Sequence, residues 1–125
     1  MGARNQALIS FIGATFRSVW ALEVLCHLRK VGEEEVSSQQ LVSSLRASEL
    51  VVRQSLAELL AAGLVNVSDR GAARYAPATD QLDRLAGQAE EHYARSPDAV
   101  RRIIIRAANP GLTAFSEAFR LKGDE

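Results

Sequence analysis

SELVVRQSLAELLAAG, residues 48–63, is the stretch whose reading decides the fold of this chain. It opens on Ser48, a residue type that caps helices by accepting a backbone N–H, and closes on Gly63, which tolerates the turn that ends one. Between them Val52, Leu56, Leu59 and Leu60 recur at helical spacing and make one apolar stripe. A helix over about 49–62, buried on that stripe, is predicted.

The neighbouring residues extend the pattern in both directions. Just before it, SSQQ at 37–40 has the form of a capping box, followed by Leu41, Val42 and Leu45, so a helix over about 37–46 is predicted with a short turn at Ala47 and Ser48. Just after it, LVNV at 64–67 and ARYA at 73–76 flank DRG at 69–71, which reads as two short strands around a glycine turn. Pro77, which has no N–H to donate, stops the second strand.

Helix, short turn, helix, hairpin resembles the winged helix-turn-helix domain of bacterial transcription regulators. The junction LLAAGLV at 59–65 is similar to the MarR-like and ArsR-like pattern: a leucine, two or three small or polar residues, then Gly-Leu-Val into the wing. The resemblance covers residues 16–77. It implies a fold that is mainly α with a small β-hairpin, a winged helix-turn-helix with extra N- and C-terminal helices. It implies too that Val36 supplies a further short strand beside the hairpin. It also implies a homodimer held through helices outside the wing, at 5–31 and 79–122, and a partner in double-stranded DNA.

The flanks are read as follows. Residues 5–31 are expected to be helical, with Gly13 the place for a break. Apolar positions from Leu8 to Val31 cover more than one face, so this segment needs cover on two sides. One side would pack on the helix pair, the other on the C-terminal helices or a second subunit. Thr79 or Asp80 starts a helix to about Arg95, with Leu82, Leu85, Ala86, Ala89 and Tyr93 along one side. Ser-Pro-Asp at 96–98 opens the next, carrying Val100, Ile103, Ile104 and Ala107. Asn109-Pro110 repeats the signal ahead of a last short helix lined by Leu112, Phe115 and Phe119. The expected organisation is one domain over 1–125: a core at 16–77 and flanking helices at 5–15 and 79–122.

Composition narrows the function classes. The 125 residues are 47% apolar and 24% charged, ordinary for a globular domain, and no apolar run approaches the ~18–20 residues of a membrane span. Arg4 alone precedes 7–14, without a signal-peptide layout, and the single Cys26 forbids an internal disulfide, so a cytoplasmic protein without a membrane partner is expected. Cys26 and His27 are adjacent and point about 100° apart on a helix, so they cannot chelate one metal unaided. With two histidines, no glycine-rich phosphate loop and no clustered carboxylates, neither a metal, a cofactor nor an enzyme is expected.

A recognition helix reads base edges from the face opposite its core stripe, near its amino end. Here that face is Glu49, Leu50, Val51, Arg53, Gln54 and Ala57. Arg53 suits guanine and Gln54 adenine, the bidentate geometries; Leu50 and Val51 suit thymine methyls or, equally, a protein surface. Glu49 stands four residues before Arg53, the spacing of a surface ion pair. Arg70 and Arg74 in the wing, with Ser37, Ser38, Ser44, Arg46 and Ser48 around the first helix, suit phosphate or the minor groove. Residues 36–76 hold four arginines against three carboxylates, a small electrostatic footprint for DNA. Residues 95–122 hold six cations against two, and Arg101, Arg102 and Arg106 there suit an acidic protein partner or flanking phosphates. The expected function is a sequence-specific DNA-binding transcription regulator acting as a homodimer. The alternative is a winged-helix interaction module that docks a protein through Leu50 and Val51, or through the carboxy-terminal arginines, without binding DNA. A third reading is a small-molecule sensor with a pocket near Trp20, Tyr93, Phe115 and Phe119.

Overall fold

The computed structural model describes residues 2–108, with side chains from Gln6 onward. The expected last short helix, with Leu112, Phe115 and Phe119, and the cations Arg120 and Lys122 lie outside the described residues. The order is α1 (Gly2–Thr15), α2 (Val19–Val31), α3 (Ser38–Leu45), α4 (Glu49–Ala61), β1 (Val65–Val67), β2 (Ala73–Tyr75), α5 (Asp80–Arg95) and α6 (Pro97–Ala108). It is a mainly helical protein with one small antiparallel sheet.

Local chemistry sets the helix starts. Ser18, Ser37, Ser48 and Thr79 each accept a backbone N–H three residues on, at 3.1–3.3 Å, and so satisfy a donor that the helix itself leaves orphaned. At Ser37 the capping box is complete, because Gln40 Oε1 accepts from the Ser37 N–H at 2.9 Å. The strands pair Val65 with Tyr75, Asn66 with Arg74 and Val67 with Ala73. Val36 adds an isolated bridge to Ala73 through two backbone hydrogen bonds of 2.7 and 2.8 Å.

The helical stretch expected over 5–31 is two helices whose axes meet at 104°. The break falls at 16–18, where Ser18 caps α2, and not at Gly13. Gly13 lies inside α1, where an added Cβ would stand 3.2 Å from Ala107 Cβ, so its missing side chain lets α6 come close. The elbow is pinned to α4: the Arg17 N–H donates to the Glu58 carboxylate at 2.9 Å.

Packing follows from that bend. α2 packs on α4, α3 and β2, whereas α1 packs on α5 and α6. The C-terminal helices are therefore what covers α1. Ile12, Phe16, Leu22, Leu25, Leu28, Leu41, Val52, Leu59, Leu64 and Ile104 are among the large side chains fully buried in a shared core. In α4 the buried face is Val52, Ser55, Leu56 and Leu59. Leu60, expected in that stripe, is 49% exposed, because one residue is a 100° step around the helix and the α2 contact is narrower than that. Among the described residues no single helix is long and apolar enough to cross a membrane.

Candidate nucleic-acid interface

α3 and α4 are joined by three residues, Arg46, Ala47 and Ser48. The turn is tight because Arg46 adopts the left-handed conformation, φ 54°, and both its N–H and that of Ala47 return to the Val42 carbonyl. The Arg46 side chain is exposed at this corner. Ser48 then caps α4, accepting the Val51 N–H at 3.1 Å, which leaves its own O–H free to donate outward.

The outward side of α4 carries Glu49, Leu50, Arg53, Gln54 and Ala57, all exposed, with Leu50 at 58%. Val51, expected outward, is half-buried, since it sits beside the core stripe and not opposite it. The Glu49–Arg53 pair is not formed among the described residues. Glu49 instead sits in the first turn, at the positive end of the helix dipole.

The hairpin turn runs from Ser68 to Ala72. Ser68 bonds Ala72 through its backbone N–H at 2.8 Å and accepts the Ala72 N–H on its hydroxyl at 3.2 Å, while Gly71 takes the positive φ of 80°. Asp69 and Arg70 are exposed at the tip. In β2 the alternation sends Ala73 inward, Arg74 outward and Tyr75 inward, with Arg74 standing opposite the exposed Asn66. Ser38, a residue expected to touch phosphate, donates its hydroxyl to the Gly71 carbonyl at 3.3 Å and so ties the hairpin turn to the start of α3. Ser38 and the hairpin turn that carries Arg70 therefore lie at the start of α3, and Arg46 and Ser48 follow its end; the eight residues of α3 span roughly 12 Å at ~1.5 Å each.

Electrostatics here cut both ways. Arg46, Arg53, Arg70 and Arg74 have no side-chain partner among the described residues, whereas Arg29, Arg95 and Arg101 each bond a carboxylate. The exposed run Glu33, Glu34 and Glu35 precedes Val36, and Glu35 lines a shallow groove with Asn66, Ser68 and Arg74. From residue 33 to 76 four arginines thus face six carboxylates.

Away from this surface, Arg101 is engaged by Asp98 at 3.1 Å and lies over the Tyr93 ring, while Arg102 is exposed. In the expected sensor pocket, the Tyr93 phenol donates to Glu23, Trp20 lies at the surface, and Phe115 and Phe119 are outside the described residues. Among the described residues no group of three or more histidine, cysteine, aspartate or glutamate side chains is placed to hold a metal ion.

The sequence reading missed Arg29, whose partners Tyr75, Asp83 and Glu90 are 46, 54 and 61 residues away. Cys26, read from the sequence as a lone cysteine without a disulfide partner, has a defined setting. The side chain is half-buried in a cleft between α2 and α5, and burial, then Glu90 and Glu23, push its pKa from an ordinary 9.0 up to about 12. The thiolate is the nucleophile, so alkylation by iodoacetamide at pH 8 should run about 100–1000-fold slower than for a small free thiol. A rate equal to that of the free thiol would refute this picture of the cleft. Comparison with protein-family models, curated proteins and solved structures finds no match to this chain.

Proposed function

We propose that α3, α4 and the β1–β2 hairpin form a winged helix-turn-helix, and that the protein is a sequence-specific transcription regulator binding double-stranded DNA as a homodimer. α4 enters the major groove, and the hairpin and the α3–α4 corner meet the flanking backbone. The observation that carries this reading is the state of four arginines. Arg46 at the α3–α4 corner, Arg53 on α4, and Arg70 and Arg74 in the hairpin are exposed and unpaired among the described residues, so none has to break an ion pair before it meets phosphate or a base.

The surrounding carboxylates set how it binds. With six of them among the four arginines, phosphate attraction is small, so specific binding rests on base contacts from Arg53 and Gln54 and non-specific binding is weak. The test is titration of genomic duplex fragments, including the protein's own upstream region, at two salt concentrations. A fragment preferred over random duplex, with a shallow salt dependence, is expected; binding that never exceeds that of random duplex would remove the DNA reading.

A second reading is favoured by one observation. Leu50, 58% exposed on the outward side of α4, is a large apolar side chain with no charge to offer DNA. In an adaptor, Leu50 is the anchor and Val51 only its half-buried support, so Leu50→Glu would abolish partner capture with the fold intact. The dimer is checked separately. Ile9 on α1 and Ile105 on α6 are large apolar side chains 45% and 52% exposed, and they are the proposed seam. Light scattering at micromolar concentration should return twice 13.6 kDa; a mass of 13.6 kDa throughout that range refutes it.

A further inference from the structure

One side chain links three elements. From α2, Arg29 Nη1 donates to the Tyr75 phenol oxygen at 2.7 Å and to Asp83 at 3.2 Å, while Nε donates to Glu90 at 3.2 Å. Its guanidinium carbon also lies 4.9 Å from the centre of the Tyr75 ring. The Tyr75 phenol completes the loop by donating to Asp83 at 2.6 Å. Burial, then that hydrogen bond, push the Tyr75 pKa up to about 12, so the phenol remains a donor throughout the physiological range. The packing on α5 is shaped for this group: a Cβ on Gly87 would come within 3.1 Å of Arg29 Nη2.

Tyr75 is the inward neighbour of the outward Arg74. Holding one side of the strand sets the direction of the other, because adjacent strand residues point to opposite faces. The guanidinium places donors on two separate nitrogens in a fixed fork, Nη1 toward Tyr75 and Asp83 and Nε toward Glu90, a spread that a lysine's single nitrogen does not reproduce. We infer that Arg29 is the positioning residue of the hairpin, fixing the face from which Arg74 meets DNA and making that face follow α5. Its DNA consequence rests on the function proposed above.

The decisive experiment is a double-mutant cycle between Arg29→Met and Arg74→Ala, read by duplex affinity at several salt concentrations. Met keeps the apolar stem and removes the fork. Arg29→Met should weaken binding to all duplexes about fivefold and flatten the salt slope by up to about one per subunit, while adding nothing further in the Arg74→Ala background. Additive losses would assign Arg29 a structural role only and overturn the inference. Should Arg29→Met fail to fold, Tyr75→Phe keeps the ring, removes the shared hydroxyl and is expected to show the same non-additivity. Amide exchange gives a readout without DNA: the Val36 and Ala73 amides, which hold the hairpin to the body, should exchange about tenfold faster in Arg29→Met, with α4 unchanged. Equal exchange overturns the inference. If the wild type binds no duplex while the hairpin amides do accelerate, the DNA reading falls and the anchoring role stands.

Discussion

Replacing Leu59 with alanine should lower the stability of this protein by roughly 2–5 kcal/mol. Leu59 is fully buried on the α4 face that packs against α2, within a core that includes Val52, Leu22 and Leu25. Removing three carbons there loses their transfer free energy and leaves a void that a packed helix pair fills only in part. The neighbouring Leu60→Ala is the control. Leu60 is about half exposed, so its truncation should stay within about 0.5 kcal/mol. Urea denaturation of both variants decides the matter: equal midpoints would mean that the helix is rotated from the phase described and that its outward residues are not the ones named.

The other large effect is on binding. Arg53→Ala should weaken specific DNA binding by roughly 1–3 kcal/mol and relax the preference at one base position, as expected when a bidentate contact to a base edge is lost. Arg74→Ala should behave differently. As a hairpin contact to phosphate it should weaken binding to every sequence alike and flatten the salt dependence by about one unit per subunit. The pair is informative because both side chains are exposed and unpaired, so neither substitution leaves a buried charge or a broken ion pair behind. Loss of specificity in Arg74→Ala, or a uniform loss in Arg53→Ala, would exchange the roles assigned to helix and hairpin. No change in either would leave Leu50 and the adaptor reading.

What was legible in the sequence is what local chemistry decides. Ser37 and Ser48 announce their helices because a cap acts within three residues, and Gly71 announces the hairpin because its positive φ is a one-residue requirement. A short strand at Val36 beside the hairpin came from the family resemblance and not from local pattern, and the structure reduces it to an isolated bridge to Ala73. The features that were not legible depend on distant residues. Gly13 reads as a helix break until Ala107 is seen against it, and Ser38 reads as a free hydroxyl until Gly71 is. Leu60 was placed inside by spacing alone, and the width of the α2 contact, which excludes it, is not written in α4. Arg29 has no local signal at all: the three groups it joins come together only when α2, β2 and α5 are in place.

The pairing of α1 with α6 also sets a timetable for synthesis. α1 precedes both helices that pack on it, and the second of them, α6, is complete only about 90 residues later, after a delay of roughly 4.5–18 s at ~5–20 residues per second. During that interval Ile12 and Phe16, which end with no exposed surface, belong to a core that is not yet complete. A nascent chain halted before Pro97 has α5 but not α6 to lay on α1, so the part of α1 that α6 covers stays open to a chaperone or to another nascent copy. The sharp elbow at 16–18 confines that exposure to α1 and leaves α2 free to assemble with α3, α4 and the hairpin.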